Sequence, residues 1–264
     1  MDLGLKDKVV LITGGSRGIG FWTAQTFAEE GCRIGICARN EKDLQVAAQA
    51  IGSKGIPVTA VQADVRKAEE ASRFVSQCAE ELGGIDIIVN NAGTGFGGNL
   101  MESKDEDWEN TFDINVFQTM RMIRFVVPHM QKRGGGAIVN ISSLSGWEPQ
   151  MAGTGQYGSS KAALIFLTER LALELARYKI RINTVSPGAI IWPGGSWDNL
   201  RTKNRELFDA YERDGFPMGR LGKPEEVANA VVFVASPRAN WINGRHIPVD
   251  GLQQPVPLRP REFR

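Results

Sequence analysis

Short apolar runs alternate with longer amphipathic stretches along nearly the whole chain. The runs predict strands over Lys8–Ile12, Arg33–Cys37, Pro57–Gln62, Ile85–Val89, Gly136–Ile141 and Arg181–Val185, with a weak one at His246–Val249. Between them lie helix-length segments at Gly18–Glu29, Glu41–Ile51, Lys67–Leu82, Asp105–Gln131, Tyr157–Tyr178 and Glu225–Ala235. Such alternation predicts parallel βαβ units and a doubly wound α/β architecture: a single, mostly parallel seven-stranded sheet flanked by helices. Strands covered on both faces read as continuous apolar runs, as Ile85-Asp86-Ile87-Ile88-Val89 nearly does. No composition shift divides the chain, so residues 1–252 are expected to form one domain.

Two stretches break the pattern. Residues 190–222 dissolve into Pro, Gly, Trp and charge, with one helix expected near Lys203–Glu212. A loop of that length inside a compact domain points to function. The tail 253–264 carries three prolines and three arginines and predicts no regular element. It reads either as a frayed end or as an arm held by a neighbouring subunit, and its removal is expected to leave the fold intact.

Composition narrows the classes. Lys+Arg 31 against Asp+Glu 30 leaves a formal charge of +1, which supplies no whole-protein field for nucleic acid or an anionic membrane. No apolar run approaches the roughly 18–20 residues that span a bilayer. The three cysteines form no Cys-x-x-Cys pair, and the two histidines lie far apart, so no metal site is expected. The start Met1-Asp2-Leu3-Gly4 has no leader-like pattern, and a cytoplasmic location is the expectation.

The chemistry begins at Val9–Gly20, where a buried strand runs into Thr13-Gly14-Gly15-Ser16-Arg17-Gly18-Ile19-Gly20 and then a helix. Glycines let backbone approach a pyrophosphate, and the helix start offers free N–H groups and a favourable dipole. Gly14, Ser16, Arg17, Gly18, Ile19 and Gly20 are therefore candidate cofactor contacts. NAD-preferring folds of this kind place an acidic residue about 20 positions further on, against the ribose 2′-hydroxyl. That region here reads Cys37-Ala38-Arg39-Asn40. Arg39, with Arg17, suits a 2′-phosphate, so NADP(H) is preferred over NAD(H).

At Tyr157-Gly158-Ser159-Ser160-Lys161 a tyrosine and a lysine fall on one helix face, about a turn apart. A free tyrosine, with a pKa near 10, is a poor acid–base group at neutral pH. A neighbouring ammonium is expected to lower that value and improve its match to proton transfer. Upstream, Ile141-Ser142-Ser143 ends a predicted strand and offers hydroxyls for a carbonyl oxygen.

With Asp64-Val65, Asn90-Asn91-Ala92-Gly93, Asn115 and Pro187-Gly188 in the same order, the chain resembles the short-chain dehydrogenase/reductase family over about residues 5–251. It is similar to the single-domain, 3-oxoacyl-(acyl-carrier-protein) reductase-like ketoreductases, which have a Rossmann fold. The resemblance implies a proton donor in Tyr157 and a hydrogen-bonding partner for the substrate oxygen in Ser143. It implies that Lys161 holds the nicotinamide ribose and depresses the tyrosine pKa, and that Asn115 holds a water leading to Lys161. Asp64, beside Val65, would hold the adenine amino group, while Asn91, Ala92 and Gly93 shape the cofactor cleft. Pro187 and Gly188 would contact the cofactor, and because the family's threonine is replaced here by Trp192, the carboxamide would be anchored by backbone at Ile190 or by another side chain. The usual final Asp-Gly-Gly reads Asp250-Gly251-Leu252.

The resemblance places the substrate under the segment after Pro187-Gly188, with Trp147, Glu148, Pro149 and Met151 on another wall. Ile190, Ile191, Trp192, Trp197, Leu200, Phe208 and Phe216 favour an apolar or acyl-type carbonyl, although several of them suit packing of the lid onto the body equally well. The expected activity is NADP(H)-dependent interconversion of a ketone and a secondary alcohol. A non-catalytic NADP-binding sensor or scaffold is the alternative, and turnover separates the two. Asp105–Gln131 and Tyr157–Tyr178 resemble the helices through which family members form tetramers. Phe112, Val116 and Met120 fit such an interface or the core equally, so a homotetramer or dimer is the expected assembly.

Overall fold

The computed structural model describes residues 1–149 and 155–254. Seven strands form one sheet: β1 (Val9–Thr13), β2 (Arg33–Ala38), β3 (Val58–Gln62), β4 (Ile87–Asn90), β5 (Gly136–Ile141), β6 (Ile180–Pro187) and β7 (His246–Val249). Their order is β3-β2-β1-β4-β5-β6-β7, and every neighbouring pair is parallel. The connecting helices are α1 (Gly18–Glu29), α2 (Glu41–Gly52), α3 (Ala68–Leu82), α4 (Asp105–Phe112), α5 (Gln118–Lys132), α6 (Gly155–Leu175), α7 (Ser196–Lys203), α8 (Arg205–Gly215) and α9 (Pro224–Ala235). This is the expected doubly wound Rossmann architecture.

Strand periodicity assigns the side chains to two layers. Val10 and Ile12 of β1 and Ile34 and Ile36 of β2 join Phe27 of α1, Leu44 of α2 and Val231 of α9 in one core. Val9 and Leu11 point the other way, into a second core with Phe74 of α3, Met122 and Val126 of α5 and Leu175 of α6. Both faces are covered, which is why the strands read as unbroken apolar runs. The chain winds outward from β1 through β2 to β3, then crosses back to β4. That reversal leaves a crevice at the carboxyl ends of β1 and β4, the usual place for a ligand in open α/β sheets.

Two expected elements differ. The predicted helix Asp105–Gln131 is divided by a π-helical turn at Asp113–Phe117, which turns Asn115 and Val116 inward. Residues 190–222 contain two helices where one was expected. In α8, Phe208, Tyr211 and Gly215 bury at helical spacing, and Asn204 caps the first turn by accepting from the Leu207 amide at 3.0 Å. Helix α7 has only Trp197 and Leu200 as large apolar residues, too sparse a pattern to be read from sequence.

Arg181 of β6 ties the edge of the sheet to α9. Its guanidinium donates to the carbonyls of Val234 at 2.8 Å, Ala235 at 3.0 Å, Ser236 at 3.0 Å and Ile242 at 3.1 Å. The first three end a helix, where unpaired carbonyls and the helix dipole both favour a cation. Replacing Arg181 with Met should leave buried acceptors without donors and cost about 3 kcal/mol, on the scale of hydrogen bonds to charged groups. Chemical denaturation of the two proteins checks this; equal stability would mean that water takes over the arginine's role.

Candidate active site

The carboxyl ends of β1 to β6 feed the crevice. At the end of β1, Gly14 (φ 68°) and Gly18 (φ 54°) adopt left-handed backbone that favours glycine. Gly20 is required for a different reason: a Cβ there would lie 2.3 Å from the Gly14 carbonyl oxygen. The loop is held by Asn91 from the end of β4. Its side-chain amide donates to the carbonyls of Thr13 at 2.9 Å and Gly14 at 3.2 Å, while the Thr13 hydroxyl accepts from the Asn91 and Ala92 amides, both at 3.0 Å. Gly14, Ser16, Arg17, Gly18, Ile19 and Gly20 thus lie at the amino end of α1, and Asn91, Ala92 and Gly93 lie beside them. The sequence motif contains Thr13, but only the fold reveals its role as the fastener.

Tyr157, Ser143, Lys161 and Asn115 converge from three elements. The Tyr157 hydroxyl lies within interaction reach of Ser143, at the end of β5. Ser142 faces away and donates to the Lys161 carbonyl at 2.9 Å, so its hydroxyl is committed to holding α6. Lys161 is buried; its Nζ donates to the Ile141 carbonyl at 2.8 Å and lies 5.7 Å from the Tyr157 ring centre. Asn115 Nδ2 faces the Thr94 carbonyl at 2.7 Å, the Thr111 carbonyl at 3.0 Å and Ser160 Oγ at 3.0 Å. Its Oδ1 is buried with no partner among the described residues. Only glycine fits at Gly93, since a Cβ on it would lie 2.5 Å from Asn115 Oδ1 and 3.0 Å from Lys161 Nζ.

The electrostatics correct one expectation. Burial, opposed by the hydrogen bond to Ser143, raises the Tyr157 pKa above its ordinary value. Burial alone pushes Lys161 down to about 7. Burial outweighs any lowering influence, so the tyrosine's shift runs upward and not downward as expected. Tyr157 is accordingly a neutral phenol at neutral pH, the form that donates a proton.

Further along the crevice, Arg39, Gln62, Ala63, Asp64, Lys67, Glu70 and Arg73 line an open cleft of about 420 Å³. Lys67 is paired with Glu70 at 2.9 Å, and Asp64 with Arg66 at 2.6 Å. Among the described residues Arg39 and Arg73 have no carboxylate partner within salt-bridge distance. Lys67, just before α3, and Arg73 on it were not singled out from sequence, because both positions look like an ordinary solvated face. Arg17 is exposed at the N-cap of α1 and does not line this cleft. The Arg66 bond holds the Asp64 carboxyl below the usual range and occupies both its oxygens, which leaves less of it for an adenine amino group. Val65 beside it is buried.

After Pro187-Gly188, Ile190 forms a parallel bridge with Gly222. Its bonds use the Ala189 carbonyl and the Ile191 amide, not the amide and carbonyl of Ile190 itself. Trp192 packs towards the glycine loop: a Cβ on Gly18 would lie 3.0 Å from its indole. Ala189, Phe208, Tyr211, Phe216 and Leu221 form a small core of their own, with Trp197 stacked on Tyr211 at 4.7 Å. Phe208 and Phe216 therefore pack the lid, the second of the two roles open to them from sequence. Trp147 is exposed at 53%, and Met151 lies outside the described residues.

A Gly-rich turn at the switch point of a doubly wound sheet, facing a tyrosine–serine pair and a buried lysine, defines an oxidoreductase site of the nucleotide-dependent kind. The short chain dehydrogenase family description matches residues 8–194, and the chain belongs to that family. It is 38% identical over 250 residues to mouse dehydrogenase/reductase SDR family member 4, covering 94% of this chain and 87% of that one. It is equally 38% identical to 3-oxoacyl-(acyl-carrier-protein) reductase of Chlamydia muridarum, covering 94% and 97%. Among solved structures, L-sorbose reductase from Gluconobacter frateurii, complexed with NADPH and L-sorbose, matches with a TM-score of 0.90 and 36% identity over 96% of this chain and 100% of that one.

Lys161 gives the site a measurable pH signature. Its folded pKa of about 7 lies below its ordinary 10.5, so between these values the unfolded chain binds the extra proton. The linked stability is present above pH 10.5 and is lost as pH falls through 7. Lys161→Met removes this linkage. Its melting temperature relative to the parent should fall as pH rises from 7 to 9.5, and a pH-independent difference would contradict the burial of an ionisable amine.

Proposed function

We propose that the protein is an NADP(H)-dependent ketoreductase, with the reverse alcohol oxidation available, acting on an apolar or acyl-type carbonyl. The observation that carries this reading is the convergence of Tyr157 and Ser143 beside buried Lys161. The glycine loop fits a pyrophosphate, because Gly14, Gly18 and Gly20 leave backbone where side chains would stand. Arg39, with Arg73 nearby, fits a 2′-phosphate and supports NADP(H) over NAD(H). The NADPH held by the L-sorbose reductase relative supports the same choice. A 7α-hydroxysteroid dehydrogenase of TM-score 0.89 and 31% identity was solved with NADH, so the family likeness alone does not set this preference.

When bound, the cofactor supplies or accepts the hydride. In reduction, the neutral Tyr157 hydroxyl donates its proton to the substrate oxygen, and Ser143 hydrogen-bonds that oxygen as charge develops. Lys161, close to half-protonated near neutrality, can return a proton towards Tyr157. The buried Asn115 Oδ1, without a partner among the described residues, supports a water held beside Asn115 on the way to Lys161. The amide and carbonyl of Ile190 are the backbone groups we assign to the carboxamide.

Exposed Phe117, Phe166 and Leu173 on the π-helical turn and α6 support a homo-oligomer, which we read as a tetramer. No helix among the described residues is long and apolar enough to cross a membrane. Three free, buried cysteines fit the cytoplasm, the location we assign.

Loss of NADPH absorbance over a panel including ethyl acetoacetate, cyclic ketones and L-sorbose tests the activity. Tyr157→Phe should lower kcat by about a thousandfold while NADPH still binds. Binding without turnover in the parent would favour the sensor reading. Arg39→Asp should shift the NADPH/NADH ratio of kcat/KM towards NADH by roughly tenfold to a hundredfold, the scale of a hydrogen bond to a charged group. An unmoved ratio would remove Arg39 from the 2′-phosphate.

A further inference from the structure

The sequence places Gln253 at the start of the tail, yet it is 95% withdrawn from solvent, with only 5% of its surface exposed. Its side chain bridges two segments. Oε1 accepts from the Ala189 amide at 2.7 Å, one residue after Pro187-Gly188, and Nε2 donates to the Tyr211 hydroxyl of α8 at 2.7 Å. Gln254 adds a backbone bond from its amide to the Gly215 carbonyl, at 2.9 Å, at the end of the same helix. Gly188 makes the approach possible, since a Cβ there would lie 2.8 Å from Gln253 Oε1. The turn before Gln253 is strained: Leu252, an exposed side chain, sits at φ 60° in the left-handed region. Such strain persists only where the surroundings over-determine it, and here the turn aims Gln253 inward.

We propose that Gln253 is a positioning residue that latches the α7–α8 lid to the strand end beneath it, so that the last turn of the domain sets how the carbonyl substrate is held. The proposal rests on the ketoreductase reading for its substrate, but the latch itself rests on the two side-chain bonds. The lid has its own small core, in which Tyr211 is the stacking partner of Trp197 and the edge-on partner of Phe216. Holding the Tyr211 hydroxyl therefore holds the whole aromatic group. A donor and an acceptor on one amide are needed, because the Ala189 amide requires an acceptor and the Tyr211 hydroxyl accepts a hydrogen.

Amide hydrogen exchange of the full chain tests the latch without any need for turnover. Gln253→Ala should raise exchange across Ser196–Gly215 by about tenfold, the equivalent of losing two modest hydrogen bonds, with β1, β4 and β5 unchanged. Tyr211→Phe removes one of those bonds, keeps the ring stack, and should loosen the same segment by a smaller factor; it carries the test if Gln253→Ala fails to fold. In the same proteins the KM for ethyl acetoacetate should rise by about tenfold, with kcat and the KM for NADPH within about threefold of the parent. Unchanged lid exchange in both variants would overturn the proposal, as would loosening spread evenly over the sheet. A loosened lid with an unmoved ketone KM would overturn the link to substrate. A parent protein that binds NADPH and reduces no ketone would instead sink the ketoreductase reading, and exchange alone would then decide the latch.

Discussion

Asn91 and Thr13 bridge the gap that the reversal of strand order opens between β1 and β4. Four hydrogen bonds across that gap, at 2.9 to 3.2 Å, fasten the end of one strand to the glycine-rich turn that follows the other. The rest of the site depends on this fastening. It fixes the amino end of α1 and leaves Gly93 next to Asn115 and Lys161. An apolar side chain in place of Asn91 would leave the carbonyls of Thr13 and Gly14 without that donor, in backbone that must approach a ligand closely.

The reacting groups are arranged around a buried amine. Lys161 lies in α6, which Ser142 and Lys161's own bond to Ile141 pin to the end of β5. Desolvation lowers the charge on the lysine and keeps the nearby tyrosine protonated, so both groups are poised by the same removal of water. The π-helical turn serves this arrangement by pointing Asn115 inward, where its amide organises Thr94, Thr111 and Ser160. Proton transfer in the proposed reaction thus draws on geometry set by β5, α6 and the turn between α4 and α5.

The segment between β6 and α9 behaves differently. Most of its aromatic residues bury against one another, and it meets the body through Ile190 and Trp192 on the main core, the bridge at Ile190 and Gly222, the Arg220–Glu226 ion pair and the bonds of Gln253 and Gln254. A unit whose helices bury mainly against a small core of their own opens more easily than the sheet beneath it. That difference suits a rigid reaction centre covered by a part that admits substrate.

Periodicity and spacing determined the sheet, most of its helices, the glycine turn and the Tyr157–Lys161 pair, because these follow from local rules. Buried strands read as apolar runs, a pyrophosphate turn needs glycine, and residues four apart on a helix share a face. Asp64, Asn115 and the role of Ser143, by contrast, were legible only through resemblance to a family. Several features depended on contacts between distant segments. The direction of the Tyr157 shift follows from how deeply α6 is buried, and composition does not contain that. The occupation of Asp64 by Arg66 depends on side-chain geometry, and the cationic cleft joins Arg39 to an α3 face that looks merely solvated. Gln253 lies in a stretch of prolines, glutamines and arginines with no periodic pattern. Only the folding of β7 against β6 brings it 2.7 Å from both Ala189 and Tyr211, because hydrogen bonds between remote segments leave no local trace in a sequence.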